Sequence, residues 1–241
     1  DLIVFQSAMM LPFDPVERAE EAERIVMKND RRKYYRFRAS RHYGGIVTAD
    51  AVGCCFLCAY CWNYRRNLEP ERHGRFYSSE EVKKKLKDIA DKKGLSLFRI
   101  SGAEPILGYR SFEHLLRLLD IGKFVIETNG LILGYYPELI DKLVGKDVYV
   151  RISIKGWDEK SFERISGARA EYFIYPIRAL KELIDAGINA WPAIMLDVFK
   201  REGIVKLNEV LERKGITTRL EPEYLEAYPF VIKNMRERGL L

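Results

Sequence analysis

The residues best suited to chemistry are three cysteines, Cys54, Cys58 and Cys61, which stand at C-x3-C-x2-C spacing. They directly follow an apolar, strand-like run from Ile46 to Val52. Three thiolates can hold three corners of a cubane iron-sulfur cluster while the fourth iron stays open to a ligand that the protein does not supply. The spacing therefore predicts a metal centre with one reactive corner.

The fourth cysteine, Cys55, leaves other interpretations open. Cys55, Cys58 and Cys61 form C-x2-C-x2-C, which resembles part of a ferredoxin ligand run, and four nearby cysteines also suggest zinc. Structural zinc sites usually draw ligands from two separated pairs, and the sequence has no second cysteine pair. We favour Cys54 as the first iron ligand and Cys55 as a small buried residue or nearby thiol. A closed cluster would instead indicate an electron carrier.

The placement of the cysteines also bears on the compartment. All four lie within eight residues, so they cannot cross-link distant parts of the fold as a secreted disulfide framework does. The stretch from Asp1 to Phe13 is apolar but lacks a basic leader, and it is shorter than the roughly 18 apolar residues of a membrane span. We expect a cytoplasmic protein with no membrane partner.

The first 44 residues are predicted to form an N-terminal extension, helical and basic, packed on the core. Apolar residues recur at helical spacing in the acidic stretch from Pro15 to Lys28, which indicates a surface helix. From Arg31 to Tyr43, arginines and lysine alternate with aromatic residues. This stretch could bind phosphates and stack on bases, but we favour a strand or loop with inward aromatics and solvated arginines.

The core is predicted to span residues 45–241, in which short β-rich runs alternate with helical ones. The predicted strands are Gly45 to Val52, Leu95 to Ser101, Phe124 to Thr128, Val148 to Ile154, Ala190 to Val198 and Thr217 to Glu221. The predicted helices are Ser79 to Lys93, Ser111 to Leu119, Pro137 to Val144, Ala170 to Ala186, Lys200 to Lys214 and Tyr228 to Arg238. Repeated strand-helix units imply a parallel sheet with right-handed crossovers. Six units fit about 200 residues, whereas a closed eight-unit barrel needs roughly 250. We expect an α/β fold, a partial six-unit β/α barrel, with a doubly wound open sheet as the alternative.

Polar motifs follow successive predicted strands. They are the cysteine loop, Ser101 to Pro105, Glu127 to Gly130, Arg151 to Gly156, Asp197, and Glu221 with Glu223. Because the carboxyl ends of parallel barrel strands form one face, these motifs are expected to share one site.

With these motifs in this order, the chain resembles the radical S-adenosylmethionine (SAM) superfamily, most closely its short members similar to pyruvate formate-lyase activating enzyme. The resemblance runs from about Gly45 to the C-terminus. It implies that Cys54, Cys58 and Cys61 ligate a 4Fe-4S cluster and that Tyr60 lies along the adenine of SAM.

The segment formed by Ser101, Gly102, Ala103 and Glu104 is similar to the family's Gly-Gly-Glu motif. The resemblance implies that this backbone and the Glu104 carboxylate hold the amino group of the methionine moiety, and the charge of Glu104 suits an ammonium. Ala103 replaces the second glycine, and its methyl group disfavours a positive φ.

The resemblance extends to the next strand ends. Thr128 and Asn129 match a Thr-Asn-Gly run, and Ser153 and Lys155 occupy positions that contact the ribose hydroxyls and the carboxylate. Lys155 has the right charge for that carboxylate. We predict that Lys155 and the three cysteines are the catalytic residues. Asp197 is a further cofactor-binding candidate.

The implied reaction is reductive cleavage of SAM to methionine and a 5'-deoxyadenosyl radical, which abstracts a hydrogen from a substrate. The implied electron donor is of the flavodoxin or ferredoxin type. Candidate substrates are a glycyl residue of a partner enzyme, a small organic molecule, or RNA; a nucleic acid partner is suggested by the net charge of +6. Asp197, Glu221, Glu223 and Tyr224 are candidates for lining the substrate side.

Overall fold

A mixed sheet of nine strands forms the framework of the described part of the chain. The structure is a computed structural model that describes residues 10–241; residues 1–9, where the predicted extension begins, lie outside the described residues. The strands are β1 (Met27–Lys28), β2 (Arg31–Ser40), β3 (Ile46–Ala51), β4 (Arg75–Tyr77), β5 (Leu97–Ser101), β6 (Lys123–Thr128), β7 (Val148–Ser153), β8 (Asn189–Met195) and β9 (Glu221–Glu223).

Helices precede the sheet and separate its strands. They are α1 (Pro15–Val26), α2 (Tyr64–Leu68), α3 (Ser79–Lys93), α4 (Tyr109–Leu118), α5 (Leu131–Tyr135), α6 (Glu159–Ser166), α7 (Ile174–Asp185), α8 (Leu196–Arg213) and α9 (Pro229–Glu237). Short 3-10 turns occur at His42–Gly44, Pro70–Arg72, Leu119–Ile121, Pro137–Leu143 and Ala170–Phe173.

Six of the strands pair in parallel and lie side by side in chain order, as β3, β5, β6, β7, β8 and β9. All six residues of β3 are buried, as expected for a strand covered on both faces. The order contains no reversal, so the doubly wound alternative is wrong. Within the described residues β9 pairs with β8 alone, so the sheet stays open. The prediction of an α/β fold with a partial six-unit barrel is confirmed.

Three predicted helices differ from the structure in type or by more than two residues in extent. The run from Pro137 to Val144 is a 3-10 helix that ends at Leu143, and the run from Ala170 to Ala186 divides into a 3-10 turn followed by α7. The helix predicted from Lys200 belongs to α8, which begins four residues earlier but is interrupted by a positive φ of 51° at Lys200.

The sixth predicted strand also differs from the structure in its position. It was predicted at Thr217 to Glu221, but β9 begins at Glu221, where pairing with Ala193 of β8 starts. Strand propensity favoured the threonines, whereas the register set by the neighbouring strand decides which residues pair.

The basic, aromatic stretch is mostly the strand β2, which pairs antiparallel with β3. Tyr34 is buried, and Arg36 and Arg38 are partly exposed and pair with Asp50. The expectation that its arginines point to water is wrong for Arg32, which is fully buried. The division of the chain at residue 45 stays a prediction.

Helix length and hydropathy bear on membrane insertion. Across residues 10–241, no helix combines the length and apolar character needed to cross a lipid bilayer.

Candidate active site

The loop after β3 places three cysteine side chains on one cleft. Cys54, Cys58 and Cys61 line it together, and its volume is about 180 Å³. Two backbone hydrogen bonds fasten the loop to the end of α6, from Leu57 N to Ser166 O and from Ala59 N to Ile165 O, both 2.9 Å. We call this space, lined by the three cysteines and the ends of β5 to β9, the cysteine cleft.

Cys55 has a different environment from its neighbours. Its side chain is fully buried and is not part of the cleft lining, and Asn129 Nδ2 donates to its sulfur over 3.0 Å. Of the two overlapping patterns, C-x3-C-x2-C is therefore the one whose three sulfurs face a common space.

Cys54 is also more acidic than Cys55. The Cys55 thiol donates to Cys54, and this bond, with that from Phe56 N, lowers the pKa of Cys54 to about 7 despite burial. Burial and the neighbouring Cys54 raise the pKa of Cys55 well above its usual value. Because metal ligands must be deprotonated, Cys54 is the better ligand of the pair.

Burial raises the pKa of Cys58 to about 12 and that of Cys61 to about 11. These two sulfurs would release protons on binding a metal. No three His, Cys, Asp or Glu side chains within residues 10–241 lie as the ligands of one metal ion would. A cubane differs, since each thiolate binds a separate iron atom. Three cysteine sulfurs on one cleft fit the donor set of such a cluster.

Glu104 is the buried carboxylate of the cysteine cleft. It accepts hydrogen bonds from Thr128 Oγ1 (2.5 Å), Asn129 N (2.8 Å) and Ile106 N (3.0 Å). Burial and the nearby Cys54 raise its pKa to about 8 in spite of these donors. A cationic group beside Glu104 would offset the cost of burying its charge.

The backbone around Glu104 is set by Gly102, whose φ is +79°. A methyl group at Gly102 would lie 3.1 Å from the Tyr35 hydroxyl and 3.2 Å from Ala51 O. Ala103 is not among the residues of positive φ. The alanine in the second glycine position is therefore compatible with this loop.

Lys155 faces the cysteines from beyond β7. Its Nζ lies 5.3 Å from the centre of the Tyr60 ring and 4.0 Å from Glu223 Oε2. Burial opposes its charge, but Tyr60, Glu223 and Cys58 outweigh burial and raise the pKa of Lys155. The lining of the cleft thus includes both the Glu104 carboxylate and the Lys155 ammonium.

A second cleft, of about 460 Å³, adjoins the cysteine cleft and shares five of its lining residues. The shared residues are Tyr60, Trp62, Glu127, Met195 and Glu223. Its remaining walls come from β2 and the turn after it, from β5 and β7, and from residues 221–226. We call this space the second cleft.

Every arginine of the second cleft is paired with a carboxylate. Arg99 Nη1 lies 2.7 Å from Glu127 Oε1, and Arg38 Nε lies 2.7 Å from Asp50 Oδ2. Arg151 contacts both Glu221 and Glu223 at 3.1 Å. Burial opposes the charge of Glu223, but Lys155 and Arg151 outweigh it and lower its pKa. The lining of the second cleft therefore carries many charges, and each arginine charge is offset by a neighbouring carboxylate.

The structure brings most of the predicted site residues to these two clefts. Those on the cysteine cleft are Cys54, Cys58, Tyr60, Cys61, Gly102, Ala103, Glu104, Asn129, Ser153 and Lys155. Those on the second cleft alone are Ser101, Glu221 and Tyr224, and Glu223 lines both. Thr128 lies behind Glu104 as its hydrogen-bond donor.

Asp197 also lines neither cleft. It is exposed, and its Oδ2 accepts a hydrogen bond of 2.8 Å from Leu225 N. This hydrogen bond joins the start of α8 to the segment that follows β9. Its role in cofactor binding stays a prediction without a contact to support it.

Two further lining residues were not predicted from the sequence, Arg99 in the second cleft and Asn67 in the cysteine cleft. Arg99 lies inside β5 and is only 4% exposed. A charged residue in the middle of an apolar strand is a signal that could have identified it. Asn67 has no such signal, because an asparagine in a short polar helix is ordinary until its tertiary contacts are known.

Comparison with known proteins gives three kinds of similarity. A family model of the radical SAM superfamily matches residues 50–213. The GTP 3',8-cyclase of Vibrio atlanticus (strain LGP32) is 26% identical over 163 residues, which is 64% of this chain and 45% of that protein. The chain thus spans less than half the length of this curated relative.

Two solved structures have a similar fold. Streptococcus suis SuiB bound to precursor peptide SuiA matches with a TM-score of 0.61 and 16% identity, over 80% of this chain and 44% of that one. A variant of spore photoproduct lyase with bound AdoMet and dinucleoside spore photoproduct matches with a TM-score of 0.61 and 14% identity, over 84% and 63%. At such identities these matches establish the fold, whereas the family model covers more than half of the chain. The protein belongs to the radical SAM superfamily.

Proposed function

We propose that this protein cleaves SAM reductively in the cysteine cleft and uses the resulting radical to abstract hydrogen from a small polar molecule bound in the second cleft. The family's cofactors are a 4Fe-4S cluster and SAM. The observation that carries the proposal is the wall that the two clefts share, because a cofactor bound in one cleft would lie beside a substrate bound in the other.

The residues of the cysteine cleft have complementary tasks in this proposal. Cys54, Cys58 and Cys61 would hold the cluster, and with SAM bound it supplies one-electron reductive cleavage of a carbon-sulfur bond. Glu104 would bind the ammonium of SAM and Lys155 its carboxylate, so that charge at both ends fixes the orientation. Tyr60, on the wall between the clefts, would lie along the adenine and exclude water from the reacting atoms.

The size of the second cleft favours a small molecule. At about 460 Å³ it falls within the range of small-molecule sites, roughly 300–1,000 Å³. Aromatic side chains, Tyr43, Trp62 and Tyr224, contribute to the lining and can cover a ring or an apolar stem. The carboxylate oxygens of Glu221 and Glu226 beside them can accept hydrogen bonds from a polar substrate.

The charge balance argues against RNA as the substrate. RNA binding depends on cations that are free to meet phosphates, and each of the three nitrogens of Arg99 and of Arg151 already faces a protein acceptor. Charge elsewhere on the surface therefore accounts for the net +6 of the chain. On this proposal the protein elutes free of nucleic acid, and tight, salt-sensitive retention of RNA would contradict it.

The alternative substrate is a glycyl residue of a partner enzyme. This is the substrate that the resemblance to activating enzymes implies. It requires a chain segment to enter the second cleft. The readouts separate the two cases, because a small substrate gives a product of low molecular weight, whereas a partner enzyme gives a protein-bound radical signal on mixing.

Anaerobic reconstitution with iron and sulfide, followed by dithionite and SAM, tests the reaction class. The proposal predicts formation of 5'-deoxyadenosine and methionine by the wild type and their loss in Cys54→Ala. A wild type that carries a full cluster and forms neither product would overturn it.

A further inference from the structure

Asn67, in α2, connects three parts of the cysteine cleft through one buried amide. Its Oδ1 accepts a hydrogen bond of 3.2 Å from Gly53 N, next to the first cysteine. Its Nδ2 donates to Gly102 O at 3.3 Å and to Cys61 Sγ at 3.8 Å, within the longer range of bonds to sulfur. The residue is only 4% exposed.

The position of Asn67 is itself fixed by other residues. Arg18, from α1, donates to Asn67 O over 2.9 Å, and Asn67 N donates to Asn63 O over 3.2 Å. The amide plane therefore has a backbone donor on its oxygen side and two acceptors on its nitrogen side. Exchange of the oxygen and nitrogen would place like groups against each other at both ends, so the contacts select the present orientation.

A donor aimed at a ligating sulfur has an electronic effect. Hydrogen bonds to thiolates are among the features that set the reduction potential of an iron-sulfur cluster. A reduced cluster carries more negative charge on its sulfurs, so the partial positive charge of an amide N–H stabilises the reduced form more than the oxidised form. The bond from Asn67 therefore raises the potential and makes reduction easier.

We propose that Asn67 is a positioning residue that couples the cluster to the SAM-binding loop, and that its amide tunes the reduction potential through Cys61. The inference rests on the proposed function in one respect, namely that Cys61 is a cluster ligand. The second bond, to Gly102 O, holds the turn that precedes Glu104, which ties the sulfur and the carboxylate loop to one side chain.

Asn63 provides a matched control in the same helical segment. Its Nδ2 also donates to Gly102 O, and its Oδ1 accepts from Arg66 Nη1 at 3.0 Å. Among the hydrogen bonds of the described residues its side chain has none to Cys61. The two asparagine side chains therefore share the contact with Gly102 O. They differ at the sulfur, because Asn67 donates to Cys61 from its side chain, whereas Asn63 donates to Cys61 from its backbone N–H, which Asn63→Leu retains.

The test measures the midpoint potential of the reconstituted cluster by redox titration without SAM, followed by the Kd for SAM. Asn67→Leu removes both donors, and Asn67→Asp keeps the acceptor for Gly53 N at nearly unchanged volume. Both variants are expected to shift the potential to more negative values and to slow SAM cleavage at a fixed reductant potential by roughly tenfold or more. Asn63→Leu is expected to weaken SAM binding and leave the potential unchanged.

An unchanged potential in Asn67→Asp, or an equal shift in Asn63→Leu, would overturn the proposal. Asn67→Asp keeps the experiment informative if the leucine variant does not fold. A wild type that binds no cluster would overturn both this inference and the proposed function. A wild type that binds the cluster and cleaves no SAM would overturn the function alone, because the potential is measured without SAM.

Discussion

Asn129 Nδ2 lies 3.0 Å from the sulfur of Cys55, and this bond joins the end of β6 to the cysteine loop. It fixes Cys55 on the inner side of the loop, while Cys54, one residue earlier, lines the cysteine cleft. Two adjacent cysteines thus have different surroundings, and of the two only Cys54 lines the cysteine cleft.

Cys55→Ala should therefore retain the cluster, and Cys54→Ala should lose it. Removal of the buried thiol leaves a small cavity and removes its hydrogen bonds with Asn129 and Cys54, whereas removal of Cys54 deletes a proposed cluster ligand. The measurement is iron content per chain with the visible absorption of the reconstituted protein. Equal loss of iron in both variants would contradict the assignment of Cys54.

Glu104 should give the cofactor-free protein a specific pH dependence of stability. Its folded pKa of about 8 lies above the ordinary glutamate value of 4.5, because burial disfavours the carboxylate. Its contribution to the free energy of unfolding is therefore fully present below about pH 4.5 and is lost as the pH rises to 8.

Chemical denaturation of the wild type and Glu104→Gln between pH 5 and 8.5 measures this contribution. The wild type should lose more stability with rising pH than Glu104→Gln, since the amide does not ionise. Parallel curves for the two proteins would show that burial does not raise this pKa.

Lys155→Met should weaken SAM binding by roughly 10- to 100-fold, the range expected for loss of a bond to a charged group. The methionine retains most of the apolar stem and removes the ammonium. Lys206→Met is the matched control, because Lys206 is partly exposed on α8 and pairs with Glu202. Equilibrium binding to the cluster-loaded protein measures the effect, and an equal Kd for both variants would contradict the role of Lys155.

Gly102→Ala should lower the free energy of unfolding by about 1–2 kcal/mol, since φ at Gly102 is +79° and L-residues are strained there. The reverse change at the neighbouring position, Ala103→Gly, should cost less, about 0.4–1 kcal/mol, mainly through the unfolded state. Denaturant unfolding of both variants tests the order. A larger loss of stability for Ala103→Gly than for Gly102→Ala would contradict the conclusion that the loop requires a glycine at position 102.

The sequence was sufficient for those parts of the fold that local patterns determine. Continuous apolar runs located β3 and β5 to β8 within a few residues, and α3 was predicted with its observed bounds. The cysteine spacing identified three side chains that line one cleft. These features depend on residues close together in the chain, so the pattern contains the information.

The features that were missed depend on tertiary contacts. The bounds of β9 follow from its register with β8. Arg32 reads as one of several surface arginines, yet it is fully buried and donates to Pro105 O over 2.8 Å and to Glu104 O over 2.6 Å. The pairing of Arg151 with Glu221 and Glu223 brings together residues about 70 positions apart, which no local pattern reports.

The most direct test of the central claim is the electron paramagnetic resonance spectrum of the reduced, cluster-loaded protein before and after addition of SAM. If three cysteines hold the cluster and one iron is open, SAM binds that iron and the spectrum changes, with the change lost in Lys155→Met at limiting SAM. A 4Fe-4S spectrum that stays the same at saturating SAM would indicate a fourth protein ligand and would contradict the account.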